Sequence, residues 1–124
     1  MPEQALQEVA QQMVTAENVP SAQNTSVILC SDYKIRKLNA QYRGINKATD
    51  VLSFCFNDPD FLGEIYISLQ RADIQSRRYG VTYEQEVRRL FVHGFLHLLG
   101  YCHYVADERE IMETKERRYL GDSF

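Results

Sequence analysis

Several absences narrow this chain. No apolar run is long enough to span a bilayer, which needs about 20 residues, so no membrane segment is expected. The opening residues, MPEQALQEVAQQM, lack both a basic start and an apolar signal core. The expectation is a cytoplasmic protein. Cysteine is sparse: Cys30, Cys55 and Cys102 are odd in number, widely spaced and without a CxxC pair, which argues against a disulfide framework. Histidine is as scarce, with three residues in 124, yet all three fall within one short stretch, HGFLHLLGYCH, as His93, His97 and His103.

The bulk composition is that of a globular domain, with 44% hydrophobic and 25% charged residues, and residues 1–124 are expected to form a single domain. A net charge of −3 excludes a uniformly basic nucleic-acid coat. The charge is uneven, however. Residues 34 to 89 carry ten Lys/Arg against seven Asp/Glu, while the two ends together carry four against ten. A polyanion can meet a locally positive surface on an acidic protein, although such side chains can equally be solvated helix faces.

Leu6, Val9, Ala10, Met13 and Val14 recur at helical spacing and predict an amphipathic helix over 3–17. SVILC at 26–30 has the make-up of a buried strand, in which Cys30 packs as a small hydrophobe. Ser31 then caps a helix whose apolar positions Ile35, Leu38 and Tyr42 lead to a stop at Gly44. DVLSFCF and GEIYIS read as two strands joined by the turn signal NDPD. A helix rich in Arg and Gln follows from Leu69 to Tyr79, ended by Gly80. Thr82 with Gln85 forms a capping box that opens the next helix at residue 83. The latter half of that helix, LFVHGFLHLL, is apolar on nearly every side and predicts a buried central helix. A last helix, Ala106 to Leu120, directs Ile111, Met112 and Tyr119 toward the core. The class is α+β, a small mixed sheet packed with helices.

His93 and His97 stand four residues apart on this helix, so they share a face about 6 Å apart along the axis. A chain that doubles back after Gly100 brings His103 beside them. Three converging imidazoles suit a divalent metal of the zinc type and leave a coordination position open for catalysis. Nickel and iron also tolerate imidazole. The spacing copies the zinc-protease pattern HExxHxxGxxH, but the position of the general-base glutamate holds Gly94. That loss counts against peptide hydrolysis, whereas phosphodiester cleavage needs a metal and a cation for the charge that builds on phosphorus.

The motif HGFLHLLGYCH resembles the signature HGxLHLxGYDH of the YbeY family, bacterial single-domain metal-dependent endoribonucleases. YRGINKATDVLSF at 42–54 resembles that family's YRGKDKPTDVLSF, and LGEIYIS at 62–68 its LGDIVIS. The resemblance implies a mixed four-stranded sheet with helices, and one zinc ion held by His93, His97 and His103. It implies a single-strand-type endoribonuclease acting on rRNA in 3′-end maturation of the small subunit and in ribosome quality control, with rRNA and the small ribosomal subunit as partners. It also places Arg43 on the arginine of the family's RNA-cleaving site, a role suited to a guanidinium fork that matches phosphate oxygens. Without the resemblance, Arg43 at a helix C-terminus reads as a dipole-compensating surface residue.

The chain departs from the family pattern at Cys102, where Asp is usual, and at Cys55, where Pro is usual. A Cys102 thiolate acting as a fourth ligand would close the site; a packed thiol would not. Two further readings remain open on sequence alone, a metallopeptidase and a non-catalytic ribosome-assembly module with a structural metal. Oligomeric state is not legible.

Overall fold

The computed structural model describes residues 3–17, 24–58, 61–99 and 106–120. Its elements run α1 (Glu3–Ala16), β1 (Asn24–Cys30), α2 (Asp32–Arg43), β2 (Val51–Asp58), β3 (Phe61–Ser68), α3 (Leu69–Tyr79), α4 (Tyr83–Leu98) and α5 (Ala106–Leu120). The class is α+β, as expected. Its sheet is smaller than the family resemblance implies: the described residues form three strands, not four, in the order β1-β3-β2. Three segments, SVILC, DVLSFCF and GEIYIS, read as strands in the sequence, and each falls on one of the three described strands.

Local chemistry sets the element boundaries. Ser31 caps α2 by accepting from the Lys34 N–H, and Ser68 caps α3 through the Arg71 N–H. Gly44 and Gly80 end those helices at φ 68° and 67°, in the left-handed region that glycine enters without a Cβ penalty. Thr82 and Gln85 make the reciprocal capping box that starts α4. That helix ends at Leu98 with Leu99 as its cap, before Gly100, which lies outside the described residues.

β3 is the middle strand, parallel to β1 and antiparallel to β2. Its pleat sends Ile65 and Ile67 fully inside, while Glu64 and Tyr66 turn to the other face. α4 lies in the middle of the helical layer, with Val87, Leu90, Phe91, Val92, Phe95, Leu96 and Leu98 all buried. It packs on β2 and β3 and is flanked by α1, α3 and α5. Leu6, Val9 and Met13 of α1 join the same core, which is the predicted apolar face of that helix. One apolar expectation changes. Tyr42 is 62% exposed, its ring meeting Phe54 edge-on with centroids 5.5 Å apart instead of entering the core. Of the three α5 residues expected to face inward, Tyr119 does so, and the side chains of Ile111 and Met112 lie outside those described.

α5 is tied to α1 by polar contacts around Glu17. Lys115 Nζ lies 2.9 Å from its carboxylate, and the Tyr119 hydroxyl donates to the same group at 2.5 Å. Burial, reinforced by that hydrogen bond, pushes the Tyr119 phenol up to about 12. The folded protein therefore keeps a proton that the unfolded chain loses near pH ~10, and stability declines as pH rises from there toward about 12. Tyr119→Phe removes this proton, so urea denaturation of the variant should show a shallower loss of stability across that alkaline window than the parent chain. An unchanged slope would mean that the phenol contributes nothing.

α4 approaches the sheet closely at Gly94. A Cβ there would lie 2.8 Å from Ile65 Cγ2, 3.0 Å from Ser53 Oγ and 3.1 Å from Val51 Cγ2. Gly94→Ala should therefore destabilise the fold by about 1–3 kcal/mol through overpacking. The shift is read from the urea midpoint.

Candidate active site

Two helices and one strand build the site. β2 supplies Val51 and Ser53, α4 supplies His93 and His97, and the C-terminus of α2 supplies Arg43. Together with Thr49 and Asp50 they line one cavity of about 280 Å³. The imidazoles of His93 and His97 lie side by side with ring centroids 4.8 Å apart, one helical turn from each other. Both are half-buried, carried by a helix whose other faces are locked in the core.

Hydrogen bonds couple the three elements. An Arg43 guanidinium nitrogen donates to the Ser53 carbonyl at 3.2 Å, and the Ser53 hydroxyl donates to the Gly94 carbonyl at 3.0 Å. The guanidinium carbon also sits 5.8 Å from the centre of the Phe54 ring. Arg43 and the histidine pair, fifty residues apart in sequence, thus meet across β2. Of the residues expected from the sequence, Arg43, His93 and His97 share this cavity. His103 and Cys102 lie outside the described residues. Among the described residues, no group of three His, Cys, Asp or Glu side chains is placed to hold an ion.

The donor chemistry fits a zinc-type ion. Two imidazoles at helical i, i+4 spacing sit in a polar cavity beside carboxylate and hydroxyl groups. Gly94 explains the departure from the protease pattern. A glutamate at that position would drive its Cβ into β2 and β3, so the fold has no room for a protease-type base there.

Sequence reasoning missed two carboxylates. Asp50 lines the cavity and is held by the Val51 N–H at 2.8 Å and by Gln75 Nε2 at 3.3 Å. Gln75 in turn accepts from Arg89 at 3.4 Å, and Arg89 forms two bonds of 2.9 and 2.6 Å to the fully buried Glu86. The bond to Glu86 is the main reason that the Arg89 guanidinium titrates above its ordinary range. The second carboxylate is Glu116 of α5, whose Oε1 lies 2.7 Å from His93 Nδ1. The segment TDVLSF hinted at Asp50, but nothing in the sequence joins Glu116 to a histidine twenty-three positions earlier.

Comparison with known proteins identifies the family. A family model described as endoribonuclease YbeY matches residues 1–123. The chain belongs to the YbeY family. Relatives described as endoribonuclease YbeY include one from Pelotomaculum thermopropionicum, 40% identical, with 94% of this chain and 82% of the relative covered. Another, from Desulforamulus reducens, is 46% identical and covers 76% of this chain and 68% of its own. The solution structure of a Thermotoga maritima protein aligns with a TM-score of 0.71 at 32% identity, covering 96% of this chain and 79% of that one. YbeY membership accounts for the likeness of the motifs at 42–54, 62–68 and 93–103.

The Arg89–Glu86 pair gives a measurable consequence. Arg89→Ala leaves a wholly buried carboxylate without its cation, so the variant should lose about 3–5 kcal/mol of stability in urea unfolding. Replacing both partners together, as Glu86→Leu with Arg89→Met, should recover most of it, since no uncompensated charge then remains.

Proposed function

We propose that this chain is a zinc-dependent endoribonuclease of rRNA maturation, a single catalytic domain over residues 1–124 that works in the cytoplasm on precursors of the small ribosomal subunit. As a member of the YbeY endoribonuclease family it is a hydrolase of RNA phosphodiester bonds. The observation that carries the finer reading is the meeting of Arg43 with His93 and His97 in one cavity. His93, His97 and His103 are the proposed ligands, and Arg43 the residue that touches the scissile phosphate.

A zinc ion bound there supplies Lewis acidity toward a phosphoryl oxygen and toward water. The chain supplies the rest. Arg43 places a permanent positive charge beside the phosphate and steadies the negative charge that grows on its oxygens as the fifth bond forms. Its hydrogen bond to the Ser53 carbonyl and its seat beside the Phe54 ring orient the guanidinium before substrate arrives, which lowers the cost of positioning. Rings held by a packed core keep their spacing as substrate enters and leaves. The surplus of cationic residues between 34 and 89 favours approach of a polyanion to this side of an acidic protein. No helix among the described residues is long and apolar enough to cross a membrane.

Purified, zinc-loaded protein should cleave precursor rRNA, and His97→Ala should abolish both zinc retention, measured by elemental analysis, and cleavage. Arg43→Ala should keep zinc but lower kcat by about 10²–10³, the loss typical of one removed donor to a developing anion. Equal cleavage by the His97→Ala preparation would identify a contaminating nuclease and overturn the assignment.

A further inference from the structure

Glu116 lies outside every motif that singled out this site, yet it makes one of the shortest contacts to it. Its Oε1 is 2.7 Å from His93 Nδ1, and both side chains are largely buried, at 21% and 24% exposure. An ionised carboxylate offers only acceptor oxygens, and opposite one the proton of this bond belongs to the imidazole Nδ1. That leaves Nε2 of His93 as the ring nitrogen with a lone pair. His93 also lines the cavity shared with His97 and Arg43.

We propose that Glu116 is a positioning residue that locks His93 in its Nδ1–H tautomer, so that Nε2 is the nitrogen available to a metal ion. The proposal rests on the reading of His93 as a ligand and deepens it. A carboxylate behind a ligand imidazole fixes both the ring's rotation and its tautomer, and raises its basicity as a donor. Without it, neutral imidazole divides between two tautomers, and the fraction carrying the proton on Nε2 cannot bind through that atom.

The fold prepares Glu116 for this work. α5 is anchored on α1 through Lys115 and Tyr119, both bonded to Glu17, while Glu116 turns toward α4. Two flanking contacts thus set the helix in position and a third places the carboxylate against the ring. Arg89, Arg117 and Glu113 line the same cavity of about 270 Å³ as Glu116, on the side of α5 that faces α4. The inference also gives the C-terminal helix a part in the site, although the histidine motif ends before it.

The test compares the parent chain with Glu116→Gln and Glu116→Ala in two measurements that need no substrate. The first is the long-range ¹H–¹⁵N spectrum of the His93 ring in metal-free protein, which reports the tautomer. The second is zinc affinity by competition with a chromophoric chelator. The parent should show His93 as the Nδ1–H form. Glu116→Ala should show a mixture of tautomers and about 10–100-fold weaker zinc binding. Glu116→Gln, whose amide oxygen can still accept from Nδ1–H, should retain the tautomer and recover most of the affinity, which a merely structural role for the side chain would not produce. Parent-like tautomer and affinity in Glu116→Ala would overturn the positioning role while leaving the ligand assignment standing. A parent protein that binds no zinc would instead overturn the assignment of His93 as a ligand, and the proposal with it.

Discussion

The contact on which the rest of the site depends is the seat of α4 against β2 at Gly94. With no Cβ at that position the helix settles so close to the sheet that Val51, Ser53 and Ile65 form a floor beneath it. This proximity lets the Ser53 hydroxyl reach the Gly94 carbonyl and brings the β2 backbone within range of Arg43. His93 and His97, on the neighbouring face of the helix, are left at the rim of the same strand. A helix seated even slightly higher would separate the arginine from the histidines, since dense packing transmits such displacements instead of absorbing them.

Around that seat the protein surrounds a small polar cavity with an apolar frame. Ile65, Ile67, Leu90, Val92 and Leu96 exclude water behind the histidines, so the imidazoles project from a rigid support. A chain of polar contacts runs from the buried Glu86 through Arg89 and Gln75 to Asp50, ending at the cavity wall. Such a chain is stable only because each member has a partner, and it gives the cavity fixed charges in place of mobile ones. Glu116 reaches His93 from α5, while Asp50, just before β2, lines the cavity that holds both histidines.

The geometry also separates this chain from metal-dependent proteases that share its histidine spacing. In those motifs the residue after the first histidine is the general base. Here the same position is consumed by packing, and the cation that accompanies the histidines is a guanidinium from another helix. A site with imidazoles and an arginine suits a substrate that carries negative charge throughout, because the dominant demand is stabilisation of anionic oxygens and not protonation of an amine.

Much of this architecture was legible before folding. Apolar spacing marked the helices, the residues SVILC, DVLSFCF and GEIYIS marked the strands, and Ser31, Gly44, Gly80 and Thr82 marked their ends, because caps and turns are local chemistry. The histidine pair was equally plain, since i, i+4 spacing on a helix fixes a shared face. Tyr42 was misjudged, because helical periodicity says which residues align but not which neighbour covers them, and the end of α2 lies beyond the core. Family resemblance alone nominated Arg43. Its meeting with the histidines in one cavity, the reason for glycine at 94, and the placement of Asp50 and Glu116 came only from tertiary structure. Each depends on contacts between segments twenty or more residues apart, whose register is set by how closely two surfaces pack, a quantity that no local pattern encodes.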